Sequence, residues 1–311
     1  MDFRTLGRNG PSVSPIGFGA WPVGGGMGRV DPDIAVDTVR AAIDGGLTLI
    51  DTAEGYRDSE RIVGEALRDG YRNRCFLATK VSFTFTPDAI TAALENSLKA
   101  LRTDVVDLYQ VHRWQPEFPI NQTMETLQRL REQGKVRFVG VSNFTGPQLR
   151  EAASYGPVHS NQLVYNMFQR TDSEDIDFPE CVRQGAGVLG HSTLAKGLLV
   201  GRYTNSQTFS ATDDERFGFP QFQGEAFAKY VDAAQSLNAI AADVGLTLLQ
   251  LALAWALRQP VVASVLVGAK TPNQIEDYLP AASVNLDDET LARIQAIVSP
   301  VPEIKSRTRV E

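Results

Sequence analysis

The chain has 311 residues, 43% of them hydrophobic and 22% charged, with a formal net charge of -7. That balance excludes a disordered or fibrous protein, and the length suits one large α/β domain or two ordinary ones. Apart from Lys305 to Arg309 the basic residues are scattered, so no basic stripe marks a nucleic-acid or anionic-membrane surface.

The two cysteines, Cys75 and Cys181, lie far apart and outside any CxxC spacing, which fits buried thiols rather than a disulfide framework or a metal knuckle. The opening MDFRTLGRNG lacks the apolar stretch of a signal peptide. The longest apolar run, Val244 to Leu257, carries Thr247 and Gln250 and reads as a buried helix, not a membrane span. A reducing, cytoplasmic compartment without membrane association is the expectation.

In chain order, Phe3–Gly7 and Val13–Gly19 flank a turn at Asn9 and Gly10, which predicts a β-hairpin able to cap the bottom of a barrel. Short apolar runs then alternate with helix-period segments, the pattern of βα units around a parallel sheet. The strand candidates are Ile16–Ala20, Leu47–Asp51, Cys75–Thr79, Val105–Val111, Val136–Val141, Val158–Gln162, Val188–His191 and Ser264–Gly268. Asp31 before Pro32 opens a helix through Ile43, and Thr86 before Pro87 opens another through Leu101, each an N-cap ahead of a proline at the first helical position. Gly45, Gly70 and Gly134 are placed to stop helices. The stretch 203–224 is too long and irregular for a simple connector and predicts a loop over a site or a mobile segment. A last helix, Asp287–Val298, precedes a polar tail, 299–311. An open doubly wound sheet shares this alternation, but eight units with no linker favour a single (β/α)8 TIM barrel over residues 1–311, with the hairpin in front and an extra C-terminal helix.

Four ionisable residues stand at or just past consecutive strand ends: Asp51, Tyr56, Lys80 and His112. Taken singly, a strand-end lysine is usually a solvated cap, a lone histidine a structural donor, and a loop tyrosine packing. On a barrel all four face one mouth, the carboxyl end, where catalytic groups sit.

The segments LTLIDTAEGYRDSERIVGEAL, FLATK, LYQVHR and VRFVGVSNF resemble the aldo-keto reductases over essentially the whole chain. SNQLVYNMFQR and STLAKGLLVGRY are most similar to the branch that holds the potassium-channel beta subunits and bacterial aldehyde reductases. The resemblance implies hydride transfer from a nicotinamide to a carbonyl carbon while Tyr56 donates a proton to the oxygen. Lys80 would favour the phenolate of a group whose ordinary pKa is near 10, Asp51 would hold Lys80, and His112 would polarise the carbonyl.

The same resemblance places Ala20 and Trp21 beside cofactor and substrate, and assigns Ser142, Asn143 and Gln162 to the nicotinamide carboxamide. Amide and hydroxyl side chains offer the donors and acceptors an amide partner needs, although plain strand-end capping would use the same residue types. The run Ser192, Thr193, Leu194, Ala195 and Lys196 would wrap the pyrophosphate with backbone N–H groups. Gly268, Lys270, Gln274 and Asp277 would meet the adenosine end. Lys270, with Arg202 and Arg216, favours NADPH over NADH, since a 2′-phosphate needs positive charge; solvated surface bases are the plain alternative. His191 stands where relatives usually carry a Tyr or Trp stacked on the nicotinamide, and an imidazole charged near neutral pH would oppose an oxidised ring. Tyr278 replaces an Asn that reads adenine in many branch members.

GFGAWPVGGGMG lacks GxGxxG spacing and reads as a flexible loop, not a Rossmann turn. With three histidines, His112, His159 and His191, and no HxH or HExxH, no metal is expected. Trp21, Phe83, Phe85 and Trp114 follow strand ends and would line an apolar substrate pocket with Tyr56 and His112, suited to small aldehydes or ketones; rim packing is the competing account. A small carbonyl substrate is the expected partner of a monomer or homo-oligomer. A nucleotide-binding module without turnover, reporting redox state to a protein partner, is the other functional class, and it gives less reason to keep His112 beside an acid Tyr56.

Overall fold

The computed structural model describes residues 1–209 and 215–305. Its first feature is the expected hairpin, β1 (Arg4–Thr5) paired antiparallel with β2 (Ser12–Val13) across a turn in which Asn9 adopts a left-handed φ of 57°. The second arm stops short of the predicted Gly19. Pro15 has no N–H to donate, and Ser14 turns its hydroxyl onto the Ile16 carbonyl at 2.8 Å while accepting from the Leu49 N–H at 3.1 Å. The chain therefore leaves the hairpin and starts the barrel with β3 (Ile16–Gly19).

Seven further strands follow in order, each before its helices. After α1 (Pro32–Asp44) come β4 (Leu49–Asp51), α2 (Ser59–Ala66), β5 (Phe76–Val81), α3 (Pro87–Leu101) and β6 (Val106–Val111). Then come α4 (Ile120–Glu132), β7 (Val136–Ser142), α5 (Gly146–Ala153), β8 (Ser160–Val164), α6 (Phe178–Gln184) and β9 (Gly187–His191). Two helices, α7 (Gly224–Asp243) and α8 (Leu248–Leu257), precede β10 (Val262–Val267), which is followed by α9 (Asn273–Glu276) and α10 (Asp288–Val298). All neighbouring barrel strands pair in parallel, and β10 closes the ring against β3. This is the (β/α)8 TIM barrel.

The capping chemistry largely follows the sequence. Asp31 caps α1 by accepting from the N–H groups of Asp33 and Ile34, and Asp287 caps α10 through Thr290. Thr86 stands at the N-cap of α3 without a side-chain cap bond. The run Val244–Leu257 does not form one helix. Gly245, at φ 72°, ends α7, and Thr247 with Gln250 makes a capping box that starts α8. The two polar residues that interrupt the apolar run are thus the new helix start. No single helix among the described residues is long and apolar enough to cross a membrane.

Strand alternation sorts the barrel interior into layers. Leu49, Ala78, Leu108, Leu189 and Leu266 form an apolar floor, and Leu6 and Val13 of the hairpin join it from the amino-terminal end. Two residues further along the same strand faces, Asp51, Lys80, Gln110 and His191 form the layer above, joined by Gln162 of β8, which bonds Asp51. The register sets Lys80 against Gln110 and Ser142 against Gln162. The remaining strand residues pack outward on the helices in one large apolar cluster, each fully buried Leu or Val contributing roughly 1.5–3 kcal/mol. The long stretch 203–224 carries two 3-10 turns, Glu215–Gly218 and Pro220–Phe222, and Tyr203, Phe209 and Phe222 pack against Phe227 of α7; residues 210–214 lie outside the described ones. The basic run in the tail also lies outside them beyond Lys305.

Candidate active site

Burial decides the chemistry of the upper layer. Lys80 sits inside β5 rather than beyond it and is 0% exposed, with its Nζ 2.6 Å from Asp51 Oδ2 and 2.8 Å from the Thr52 carbonyl. Asp51 Oδ1 accepts from Gln162 Nε2 at 2.9 Å and from Gln110 Nε2 at 3.2 Å. A buried ion pair needs such added hydrogen bonds to offset the loss of hydration. Burial works to lower the Lys80 pKa, but the Asp51 carboxylate and Tyr56 hold it above the ordinary value, so the ammonium is permanent at neutral pH.

Tyr56 lies on the loop between β4 and α2, with Lys80 Nζ 4.8 Å from its ring centroid. Its ring packs edge-on against Trp21 at 5.0 Å and against His112 at 5.3 Å. Burial raises the phenol pKa and outweighs the opposing pull of Lys80. The net direction differs from the sequence expectation that Lys80 favours phenolate: desolvation is the larger effect, and Tyr56 holds its proton. His112, just past β6, is also held neutral, since burial first and then Lys80, His191 and Arg113 push its pKa well below the ordinary value. Its Nδ1 meets Ser82 Oγ at 2.7 Å.

A cavity of about 610 Å³, within the usual size of a ligand site, runs from Asp51 and Tyr56 across the barrel mouth, with Lys80 and His112 behind its lining. Asp51, Tyr56, Trp21, Gln162 and His191 line its inner end, and Arg202, Arg216, Gln274, Asp277 and Tyr278 its far end. Ser192, Thr193, Leu194, Lys196 and Gly197 make the wall between them. There Ser192, Ala195 and Lys196 have φ of 55°, 47° and 54° although none is glycine. Such backbone costs energy and is held only where surrounding structure imposes it. Leu194 at φ −92° ahead of Ala195 at φ 47° gives the right-to-left-handed alternation that can turn backbone N–H groups to one side, although the Ala195 and Gly197 N–H groups are given to the Ser192 and Leu194 carbonyls, both at 2.8 Å. The volume, the curled backbone and the guanidinium groups at the far end fit an elongated dinucleotide.

Other predicted cofactor residues stand in less direct positions. Ala20 is fully buried, giving its N–H to the Asp51 carbonyl and accepting from Ser59 Oγ. Ser142 Oγ donates to the Gln162 carbonyl at 3.1 Å. Asn143 Nδ2 donates to Ser142 Oγ and to the His112 carbonyl, while its Oδ1 meets His191 Nε2 at 3.0 Å. The three supposed carboxamide ligands are therefore bonded into the wall. His191 Nδ1 meets Ser192 Oγ at 3.1 Å, and burial first, then the charges of Lys80 and Lys196, lower its pKa to about 3. This corrects the expectation of a charge near neutral pH: the ring faces the cavity uncharged.

At the far end, Lys270 Nζ bonds the Met27 carbonyl, fastening the glycine-rich loop to the region after β10, and its N–H donates to Gln274 Oε1 at 2.7 Å. The loop needs glycine for close approach. A Cβ on Gly26 would stand 2.0 Å from the Trp21 indole and one on Gly24 2.4 Å from the Tyr56 carbonyl. Gly268 packs on Pro22, and Tyr278 donates its hydroxyl to the Gly268 carbonyl at 2.9 Å.

The aromatic wall is not the one expected. Trp21 and Tyr56 line the cavity, but Phe83 stands outside its lining, 61% exposed with its ring tip beside Gly55, and Phe85 is 2% exposed beneath the rim against Phe118. Trp114 packs edge-on against Phe144 beside it. Phe83 lies past the end of β5, where strand alternation no longer sets its direction, and Phe85 is held under Phe118 with its carbonyl accepting from Thr123 Oγ1 of α4 at 3.1 Å. Sequence reasoning also missed Gln110 and Ser82. Each lies two residues from a named site residue, so the period of two along a strand was the available signal. Among the described residues no group of three or more His, Cys, Asp and Glu is placed to hold a metal ion.

Comparison with known proteins agrees with this geometry. The aldo/keto reductase family profile matches residues 15–299. The aldo-keto reductase YhdN of Bacillus subtilis (strain 168) is 36% identical over 312 residues, covering 96% of this chain and 94% of its own. The NADH-specific methylglyoxal reductase of Escherichia coli (strain K12) is 32% identical over 311 residues, covering 91% and 94%. The solved glycerol dehydrogenase AKR11B4 from Gluconobacter oxydans superposes with a TM-score of 0.89 at 32% identity, covering 100% of this chain and 99% of that one. With the barrel, the buried Asp51–Lys80 pair under Tyr56 and His112, and these likenesses together, the chain belongs to the aldo/keto reductase family of nicotinamide-dependent oxidoreductases.

Proposed function

We propose that this enzyme reduces aldehyde or ketone carbonyls to alcohols, with NADPH as its preferred cofactor and Tyr56 as the proton donor. The observation that carries the reading is the fully buried Lys80 ammonium beside a protonated Tyr56 and a neutral His112 at the carboxyl mouth of the barrel. The reduced nicotinamide supplies the hydride when bound. Tyr56 and His112 meet the carbonyl oxygen from two sides, one giving up its proton and the other polarising the bond. Lys80 stabilises the phenolate left behind, and Asp51 fixes the ammonium in place. Gln162 and His191, with Ser142 and Asn143 bonded behind them, would hold the nicotinamide.

Preference for NADPH rests on charge: Arg202 and Arg216 line the far end and Lys270 stands behind it, with Asp277 the one carboxylate among the described residues that line that end. The E. coli relative is NADH-specific by name, so the choice is testable within the family. Michaelis constants for the two cofactors with one aldehyde decide it, and a lower constant for NADH would overturn the assignment. Replacing Tyr56 by Phe is expected to abolish nearly all turnover, a loss of about 10²–10⁴-fold for a positioned proton donor, while cofactor titration stays near normal. A Tyr56→Phe enzyme that reduces aldehydes at a near-normal rate removes Tyr56 from the mechanism. No NADPH consumption by the native chain with any of a panel of aldehydes would instead favour a nucleotide-binding module.

A further inference from the structure

We infer that Ser82 is a positioning residue which fixes the proton of His112 on Nε2 and joins that ring to the loop carrying Tyr56. This rests on the carbonyl-reducing role given to His112 above. Ser82 follows β5 directly, two residues beyond Lys80, and it is 4% exposed. Its position is set from two sides. Its N–H donates to Glu54 Oε2 at 2.9 Å, while the Glu54 N–H donates to the Lys80 carbonyl at 3.1 Å. On the next strand, the His112 N–H donates to the Val81 carbonyl at 3.0 Å.

The direction of the Ser82–His112 bond follows from what each atom can offer. A serine hydroxyl has one hydrogen to give and two lone pairs to receive. Ser82 Oγ already accepts from the Gly55 N–H at 3.1 Å, and its contact with His112 Nδ1 is 2.7 Å. Donating its hydrogen to Nδ1 uses both functions of the hydroxyl and places the imidazole proton on Nε2. A donor on Nε2 is what a carbonyl oxygen at the mouth needs, whereas the other tautomer would present it with a lone pair. The tautomer is thus set by the partner of the far nitrogen.

One hydroxyl therefore orients both groups that meet the carbonyl oxygen, because Gly55 is the residue before Tyr56. The approach is close: a Cβ at 55 would stand 3.1 Å from Ser82 Cβ and Oγ, so Ser82 would have to give way by a few tenths of an ångström. The ionisable groups around the ring are Lys80 from β5, His191 from β9, Tyr56 on its loop and Arg113 beside it in sequence. None of these accounts for the tautomer, since the cations oppose protonation without choosing between the nitrogens.

The test reads the proton itself. In protein labelled with 15N at histidine, the His112 ring signals are assigned by their absence from a His112→Gln sample, which leaves His159 and His191. The native enzyme should show a protonated Nε2 and a bare Nδ1. Ser82→Ala should mix the tautomers and lower kcat/KM for an aldehyde about tenfold, chiefly through kcat, as expected for a bond that matters at the transition state. It should also move the acid limb of the pH profile upward, since a hydrogen bond that favours neutral imidazole has been removed. Ser82→Thr keeps the hydroxyl and should keep the native tautomer. A native His112 protonated on Nδ1 overturns the inference, and so does Ser82→Ala with native tautomer and kcat. In a native chain that consumes no NADPH, the reductase reading falls, yet the ring signals still decide the hydrogen bond.

Discussion

At the residue scale, the partners of the Asp51–Lys80 pair are unevenly shared. The carboxylate has Gln110 and Gln162 as further donors, but among the described residues the ammonium has only the Thr52 carbonyl besides Asp51 and the nearby Tyr56. Removing Lys80 leaves a charge that is still solvated by two amides. Removing Asp51 strands a buried cation. Asp51→Leu is therefore expected to lower unfolding stability by about 3–5 kcal/mol, and Lys80→Met by clearly less. The Asp51→Leu/Lys80→Met double variant should recover much of the larger loss, because no charge remains to be stranded, although reductase turnover stays absent. Urea unfolding of the three variants measures this cycle. Simple addition of the two single effects would show that the ions do not interact as the geometry implies.

Elements place these residues, and here the sequence was informative where a period repeats and silent where chain distant in sequence returns. Eight strands, the cap at Asp31 and the polar strand ends were all readable, because alternation and N-cap chemistry are local properties, whereas Thr86, read as a cap in the same way, makes no side-chain cap bond. The Asp51–Gln162 bond joins residues 111 positions apart, and no local pattern reports it. The left-handed residues Asn143, Ser192 and Lys196 were hidden for a different reason, since outside glycine such backbone is uncommon and tertiary contacts impose it. Another distant contact ties α5 to α6. Glu180, almost fully buried, accepts from Arg150 at 2.7 Å, from Gln184 at 2.7 Å and from Arg183 one turn on. The hydrogen bond from Arg150 leads the effects that lower its pKa from 4.5 to about 2, against the push of burial. A depressed carboxylate adds stability that is complete above the unfolded pKa and lost as pH falls through the folded one. Glu180→Gln should cost about 1–2 kcal/mol near neutral pH, a charged hydrogen bond discounted for the exposed arginines. That cost should shrink as pH falls from about 4.5 toward 2. A cost that is the same at pH 3 and pH 7 would mean that the carboxylate charge contributes nothing.

Over the whole molecule, the mouth of the barrel holds its imidazoles neutral around a buried ammonium, and this sets how the fold responds to acid. His191 has its pKa lowered to about 3, and His112 lies well below its ordinary value, burial being the first cause in each. In the unfolded chain both would titrate near 6.5. Between that value and their folded pKa values the unfolded state binds protons that the folded state does not, so stability rises with pH across this window and falls on acidification. Each such proton contributes a slope of about 1.4 kcal/mol per pH unit, well above the carboxylate range. Glu60, buried behind the barrel wall and bonded by Thr79 Oγ1 at 2.6 Å, acts in the opposite sense, because burial raises its pKa and the folded state takes up its proton first. Comparing variants separates the contributions. His191→Phe keeps an aromatic ring on the cavity wall without the titrating group, and its stability should fall less steeply than the native protein's between pH 6.5 and 5, the difference approaching one proton. Equal slopes for the two proteins in urea titrations across that range would show that His191 is not held neutral by the fold. The same neutrality bears on the cofactor. With no charge on the ring above about pH 3, native binding of an oxidised nicotinamide should show no His191-dependent step between pH 5 and 8, and the native and His191→Phe proteins should share one pH profile of cofactor affinity even where their absolute affinities differ.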